Sequence, residues 1–478
     1  MASTFGQQPI PFPSQATAGP AAPSYPHPPV SSQRPAVPPG ALVPLDYGRA
    51  AKAKKKLGWM RVPIWPFLAM GYSTFGRSFA YLGVPPLFIG ELFLVGSMYK
   101  NRGNWLGRFV NGSMRGHLLP LSIMMCVLWG LFEVARPVLA GAPMKDALRT
   151  CAFNYYPVFI LVGIAIGREM ALGQFLNFWK LFGAFYAVYS IVYAVLGQIV
   201  VAPWRGDTFL FNPPALAGMV PVGTMALWGH LRGWGWKWII LPLSMIPLAF
   251  SSGRGAVLGL IVGVLAIAAM SVRRFFLVMG LMAALFVAMM IIGPAFEGEA
   301  GRAENLDPMI SVARIIATFD EDAAYRMLMD MGYTQAADDM IVAKGTSLWR
   351  KQIWMNILAT LNTTTKQAIG HGHGEPITEM TPDGQEIYTP HNFTFYALYY
   401  TGAIGLGVFC FMLFALFLAS RKIAEPSIRA LQTGHVLMMV IVAAVGNMFE
   451  TPIAAIPFYL LSGIMIGLPL YATGRRYA

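Results

Sequence analysis

FTFYALYYTGAIGLGVFCFMLFALFL, residues 393–418, runs for 26 residues without a single charge. A helix on the surface of a soluble domain needs a polar face, and this stretch has none, so its solvent is lipid. His391 and Asn392 stand directly before it, and Arg421 and Lys422 directly after it. One end is thus marked by groups able to exchange a proton and the other by fixed positive charge.

The rest of the chain agrees with that reading. Of 478 residues, 56% are hydrophobic and 12% charged, and the mean hydropathy is +0.54. That charge density is about half of what a soluble domain carries. Apolar segments recur at 63–82, 84–99, 117–139, 152–171, 175–201, 213–231, 236–252, 254–271, 275–293, 393–418, 428–449 and 452–472. Each approaches the ~20 residues needed to span a bilayer. The expected fold class is an all-α polytopic membrane protein with about 12 transmembrane helices. Pro63, Pro66, Gly71 and the Val84-Pro85-Pro86 corner break up the first two segments, which also fit one span plus a re-entrant piece.

Charge sets the orientation. Residues 1–61 form a cytoplasmic tail whose first 45 positions hold 12 of the 35 prolines, a composition expected to stay disordered. Lys52, Lys54, Lys55, Lys56 and Arg61 close it, and juxtamembrane bases of this kind remain inside against anionic lipid. Starting from there, the inner connectors hold Lys100, Arg102, Arg108 and Arg115, then Arg232 and Lys237, Arg273 and Arg274, Arg421, Lys422 and Arg429, and finally Arg475 and Arg476. Residues 62–293 make spans one to nine, 294–392 an outer loop, and 393–478 the last three spans with a short cytoplasmic tail. Gly293 to Asn392 contains 14 of the 22 acidic residues against 7 Lys or Arg. The formal charge of +13 therefore reports topology, and it excludes a nucleic-acid binder, which would gather Lys and Arg on a soluble face. Cys126, Cys151 and Cys410 are too far apart for a disulfide framework or a zinc site.

Three outer features carry chemistry. Ser251-Ser252-Gly253-Arg254-Gly255 is a tight turn that sets Arg254 at the membrane boundary, where a guanidinium either grips a phosphate in bidentate fashion or snorkels to lipid headgroups. Arg350 lies in a stretch from Ser347 to Leu361 with apolar residues at Leu348, Ile353, Ile357, Leu358 and Leu361, the spacing of an amphipathic helix anchored by Trp349 and Trp354. His391 titrates near neutrality and suits a general base, with Asn392 placed to orient the ring or a sugar. His371-Gly372-His373-Gly374-Glu375 has zinc-type ligands, but its glycines supply no rigid frame and suit a backbone turn better. Glu133 and Arg136 have the spacing of a structural pair on one helix, and for Glu91 only Arg77 offers itself as a partner.

In this order and this common location, Ser252-Gly253-Arg254-Gly255, Arg350 with Trp354, Gly370-His371-Gly372, His391-Asn392 and Thr401-Gly402-Ala403-Ile404-Gly405-Leu406 resemble the O-antigen ligase and polymerase superfamily. Its members are membrane glycosyltransferases that handle undecaprenyl-linked glycans on the periplasmic side. The resemblance implies a GT-C-type helical fold, an inverting, metal-independent transfer without a cofactor, and residence in the bacterial inner membrane. It implies Arg254 and Arg350 at the donor pyrophosphate and His391 as the base, with Ser252, Trp354 and Asn392 at the substrate. The partners implied are an undecaprenyl-pyrophosphate-linked glycan donor, an acceptor that is a glycan, lipid A core or protein, membrane lipid and polysaccharide assembly proteins. Two rival readings remain, a secondary transporter or lipid-linked glycan flippase and a non-catalytic assembly scaffold.

Overall fold

Lipid offers backbone N–H and C=O groups no water, and the chain satisfies them almost wholly within helices. The computed structural model describes residues 64–84, 87–100, 118–196, 214–231, 233–249, 254–270, 276, 280, 308–317, 320–377 and 387–468. The proline-rich tail with its basic stretch, the ninth predicted span at 275–293, Ser252 and the last ten residues lie outside them. The elements run α1 (Ile64–Ala80), a hairpin of β1 (Gly83–Val84) and β2 (Leu87–Phe88), α2 (Ile89–Lys100), α3 (Leu118–Leu139), α4 (Met144–Thr150), α5 (Ala152–Tyr155) and α6 (Val158–Glu169). Next come α7 (Leu172–Leu196), α8 (Pro214–Ala226), α9 (Lys237–Ala249) and α10 (Arg254–Ala268). The loop contributes α11 (Pro308–Ile316), α12 (Glu321–Asp330), α13 (Thr334–Thr360) and α14 (Thr364–Ile369), before α15 (Phe393–Arg421), α16 (Pro426–Ala444) and α17 (Pro452–Gly467).

Helices occupy eleven of the twelve predicted apolar segments, and their described lengths differ. Among the described residues four are long and apolar enough to cross a membrane, namely α3, the Leu172–Tyr193 part of α7, α15 and α16. A fifth arises if α4 and the following helix, bent by 54°, count as one broken span. The other segments are interrupted for visible reasons. Gly76 leaves helical geometry inside α1 (φ 45°, ψ −115°), and the hairpin then consumes the residues from which a second full helix would have grown. The 12 residues of α2 rise only about 18 Å, short of a ~30 Å hydrocarbon core. The chain is mostly helical and multi-pass, with several helices that do not span alone.

The closest helix contact in the bundle pairs two glycine repeats. Gly163 and Gly167 on α6 face Gly463 and Gly467 on α17, and a Cβ placed on any of the four would strike backbone of the opposite helix, at Leu460, Ile464, Ile160 or Ile164. Lipid tails are as apolar as leucine, so close backbone approach and the dispersion it allows must supply the association. Gly255, Gly259 and Gly263 play the same part on α10, seating Val445, Val442 and Met438 of the α16 side. Below α15, Phe153 of α5 is ringed edge-on by His373, Phe393, Tyr396 and Phe409 at 5.3 to 5.8 Å.

Ion and dipole contacts join several of the connectors. His230 Nε2 lies 2.9 Å from Glu425 Oε1, joining the connectors after α8 and after α15. Lys237 Nζ donates to the Leu231 carbonyl at 3.1 Å and sits 4.7 Å over the Trp228 ring. Arg149 stands 5.4 Å over the Tyr388 ring, and Tyr396 Oη donates to the Thr150 carbonyl at 2.8 Å. Glu91 is held by the Tyr155 and Tyr156 hydroxyls, which donate to its Oε1 at 3.1 and 3.3 Å.

The loop has a small core of its own, built from Ile310, Ala313, Ala317, Ala324, Leu328 and Ala337 of α11, α12 and α13. The amphipathic segment read at 347–361 is the second half of the longer α13. Its buried face is Ile353, Ile357 and Leu361, whereas Leu358, expected on that face, is 47% exposed. The i, i+4, i+8 row alone defines the stripe.

Gly463→Leu is expected to abolish a monodisperse detergent-solubilised protein, because the overpacking meets backbone and exceeds the ~1–3 kcal/mol typical of a yielding core. Gly407→Ala, at a position with open space around it, is expected to leave the elution profile and melting temperature unchanged. Size-exclusion chromatography with thermal unfolding checks both.

Candidate functional site

The site begins where α15 begins. Asn392 is the N-cap of that helix: its Oδ1 accepts from the Thr394 and Phe395 amides at 2.9 and 3.3 Å. Its Nδ2 donates to the carbonyl of Ala444, the last residue of α16, at 2.7 Å. One side chain thus starts α15 and ties it to the end of α16. Asn392, expected at the ring or the sugar, makes these bonds with its amide. Asn447, three residues after Ala444, meets the ring, with Nδ2 3.3 Å from His391 Nδ1.

His391 has φ 54° and is the one non-glycine residue with positive φ among those described. That region costs an L-residue free energy and survives where the surroundings over-determine it, a situation frequent at functional sites. The surroundings are visible. Trp354 Nε1 donates to the carbonyl of Pro390 at 2.8 Å, and its ring stacks on Phe395 at 5.1 Å and 7°. Trp354, expected at the substrate, therefore clamps the residue before the histidine to the first turn of α15. One turn earlier on α13, the Trp349 ring lies 6.1 Å from the His391 ring, and the half-buried Arg350 is its neighbour in the chain.

Arg254 is the first residue of α10. Its side chain and all of Ser252 lie outside what the structure describes, but the backbone fixes where α10 starts. Gly255 abuts Val445, two residues before Asn447. The backbone at the head of α10 and the His391 ring thus each touch the short connector 445–451 between α16 and α17, and Trp349 of α13 reaches the same ring. Spacing in the sequence could not give this convergence, because it depends on how the loop folds back.

The same connector holds Glu450. It is 7% exposed, and neither carboxyl oxygen finds a hydrogen-bond partner. Burial pushes its pKa up to about 8, so the carboxyl is largely protonated at neutral pH.

The loop is pinned to α15 by glycines. Gly370, Gly372 and Gly374 have φ of 68°, 94° and 108°, conformations that only glycine adopts freely. Gly402, with φ 64°, breaks α15 at the same level, and a Cβ on Gly370 would come within 2.6 Å of the Gly402 nitrogen. The His371 and Gly372 amides donate to the Tyr399 and Tyr400 carbonyls at 2.8 and 3.0 Å. From α3, Arg136 makes the expected pair with Glu133 and also donates to the Ile369 and Gly370 carbonyls at 3.0 and 3.1 Å. The histidines of this turn serve its packing. His371 stacks on Tyr399 at 4.5 Å and meets Glu375 at 3.3 Å, a contact that lowers the Glu375 pKa. His373 is buried with Nε2 3.0 Å from Asn154 Oδ1, and burial, with Arg136 nearby, brings its pKa down to about 3. Among the described residues no three His, Cys, Asp or Glu side chains form a metal-holding group.

With this geometry in view, the comparison with known families is informative: residues 239–410 match the model described as O-antigen ligase. The resemblance to that superfamily holds. The matched stretch runs from α9 to the middle of α15 and contains Arg254, Arg350, the glycine turn and His391. It indicates glycan transfer of the ligase or polymerase type. No curated protein matches the chain. Asn447 and Glu450 lie beyond the matched residues, and nothing in their local sequence singled out Asn447.

The buried neutral His373 generates a pH effect. Its folded pKa lies below its unfolded value near 6.5, so the stability it contributes is complete above pH 6.5 and is lost as pH falls toward 3. The slope is up to about 1.4 kcal/mol per pH unit. His373→Gln is expected to flatten the decline in melting temperature between pH 6.5 and 5, as read by thermal unfolding at stepped pH.

Proposed function

We propose that the chain transfers a glycan from undecaprenyl pyrophosphate to an acceptor hydroxyl at the periplasmic face of the bacterial inner membrane, in surface polysaccharide biosynthesis. The observation that supports it most is that connector 445–451 touches both Gly255 at the head of α10 and the ring of His391, which Trp349, the neighbour of Arg350, meets from α13. Within this reading Arg254 and Arg350 neutralise the departing lipid pyrophosphate. Negative charge grows on that leaving group as the glycosidic bond breaks, and fixed guanidinium groups stabilise it with little reorganisation.

His391 takes the proton from the acceptor hydroxyl as the oxygen attacks the anomeric carbon from the side opposite the pyrophosphate, which inverts the configuration. Trp354 and Asn392 hold the histidine in its strained backbone geometry rather than contacting the sugar. The donor is already activated by its pyrophosphate, so the transfer needs neither nucleotide nor metal. The acceptor decides the product: another repeat unit makes a polymerase, lipid A core a ligase, and a pilin-like protein a protein glycosylase. The transporter reading looks for ionisable groups at the bilayer midplane, and Glu91, its best candidate, accepts hydrogen bonds from Tyr155 and Tyr156.

The test is a deletion strain carrying wild type, His391→Ala, Arg350→Ala or Arg254→Ala at matched expression, with surface glycans resolved on a sizing gel. The expected result is loss of the transferred product by two orders of magnitude or more for His391→Ala, in line with removal of a general base. Wild-type product from the His391→Ala strain contradicts the proposal and favours a scaffold or a flippase.

A further inference from the structure

A histidine can accept a proton at Nε2 only when its other proton sits on Nδ1, so whatever touches Nδ1 decides whether the ring is a base at all. In this protein the group touching Nδ1 is the side-chain amide of Asn447, at 3.3 Å. With the amide nitrogen toward the ring, Asn447 would donate to Nδ1, the ring proton would lie on Nε2, and the remaining lone pair would be occupied. The carbonyl oxygen Oδ1 would then be buried without a hydrogen-bond partner, as it stands in the structure. The oxygen and nitrogen of an amide have nearly the same shape, and their assignment follows from the hydrogen-bond network.

We infer that Asn447 is the positioning residue of His391, turned so that Oδ1 accepts from Nδ1–H and holds the ring in the tautomer whose basic nitrogen is Nε2. This deepens the transferase reading and rests on it. Turning the amide gives the oxygen a donor and makes the ring competent in one step. When the ring takes a proton from the acceptor hydroxyl, the imidazolium keeps Nδ1–H on Oδ1, and the amide dipole supports the new charge without moving. The proton ends on Nε2 and the new glycosidic bond takes the electron pair of the acceptor O–H.

The placement of Asn447 is over-determined, as a positioning residue requires. The Asn392 to Ala444 hydrogen bond brings the two chain segments together at 2.7 Å, and the His391 to Asn447 contact follows beside it. On the far side, Thr451 Oγ1 donates to the Asn447 carbonyl at 2.9 Å, fixing the backbone of the connector before α17. Charged residues next to the described parts of this corner include Arg350 and Lys351 on α13 and Glu450 three residues beyond Asn447 in the same connector. A neutral amide holds the tautomer without drawing the resting ring into the imidazolium form, which a carboxylate would favour.

The test uses the full-length protein in nanodiscs, labelled with ¹⁵N-histidine, with the His391 signal assigned by its absence in His391→Gln. Wild type is expected to show Nδ1 protonated and Nε2 unprotonated at pH 8. Asn447→Leu is expected to shift the ring toward the Nε2–H tautomer, and Asn447→Asp to raise the ring pKa by about one unit or more, as an added carboxylate does. Wild-type signal from Nε2–H, or a ring whose tautomer and titration ignore both substitutions, overturns the inference. In the glycan assay of the deletion strain, Asn447→Leu should lose at least tenfold in product and Asn447→Asp should restore activity with an altered pH profile. If Asn447→Leu fails to give folded protein, Asn447→Asp and Asn447→Ser carry the spectroscopic test. A His391→Ala strain with full activity would sink the transferase reading, while the tautomer result would still decide the role of Asn447.

Discussion

The meeting of two backbones at Gly370 and Gly402 governs how the long loop and the helix after it are joined. Neither position can carry a side chain, because a Cβ on either would press into the main chain of the other. Both have positive φ, so the loop turns and the helix breaks at one point. The amides of His371 and Gly372 then reach the carbonyls of Tyr399 and Tyr400, and Arg136 closes the turn from α3. A loop tied so firmly to α15 returns to its own end of the bundle. That return lets α13 deliver Trp354 to Pro390 and Trp349 to His391.

The strain at His391 is a consequence of the same geometry. Pro390 is held by Trp354 and Asn392 by the cap and by Ala444, so the residue between them has little choice of backbone conformation. Free energy stored there is small beside the hydrogen bonds on either side, each worth about 1 kcal/mol net and more to break inside a buried corner. A ring fixed in this way is pre-organised, which is what proton transfer in a defined direction requires.

Much of the molecule was legible in the sequence, and the reasons for the rest are specific. The charge-free run at 393–418 declared a long apolar helix, and the structure has one there. Helix lengths were less legible, because hydropathy does not register a kink at Gly76 or a two-residue hairpin at Gly83. The glycine faces of α6 and α17 were hidden because their spacing gains meaning only when the two helices meet, some 300 residues apart in the chain. In the site, Trp354 and Asn392 stood out by residue type, yet their tasks depended on partners that spacing cannot name. Asn447 was invisible for the same reason: it reaches His391 across 56 positions of sequence.

The central claim is that the head of α10, the Arg350 turn and His391 form one receptor for a lipid-linked pyrophosphate. Cryo-electron microscopy of the full-length protein in nanodiscs loaded with undecaprenyl pyrophosphate tests it most directly. The account predicts phosphate density between Arg254 and Arg350, within a few ångströms of the face of His391 that carries Nε2. Pyrophosphate bound elsewhere in the bundle, with these three residues apart and uncontacted, would contradict it.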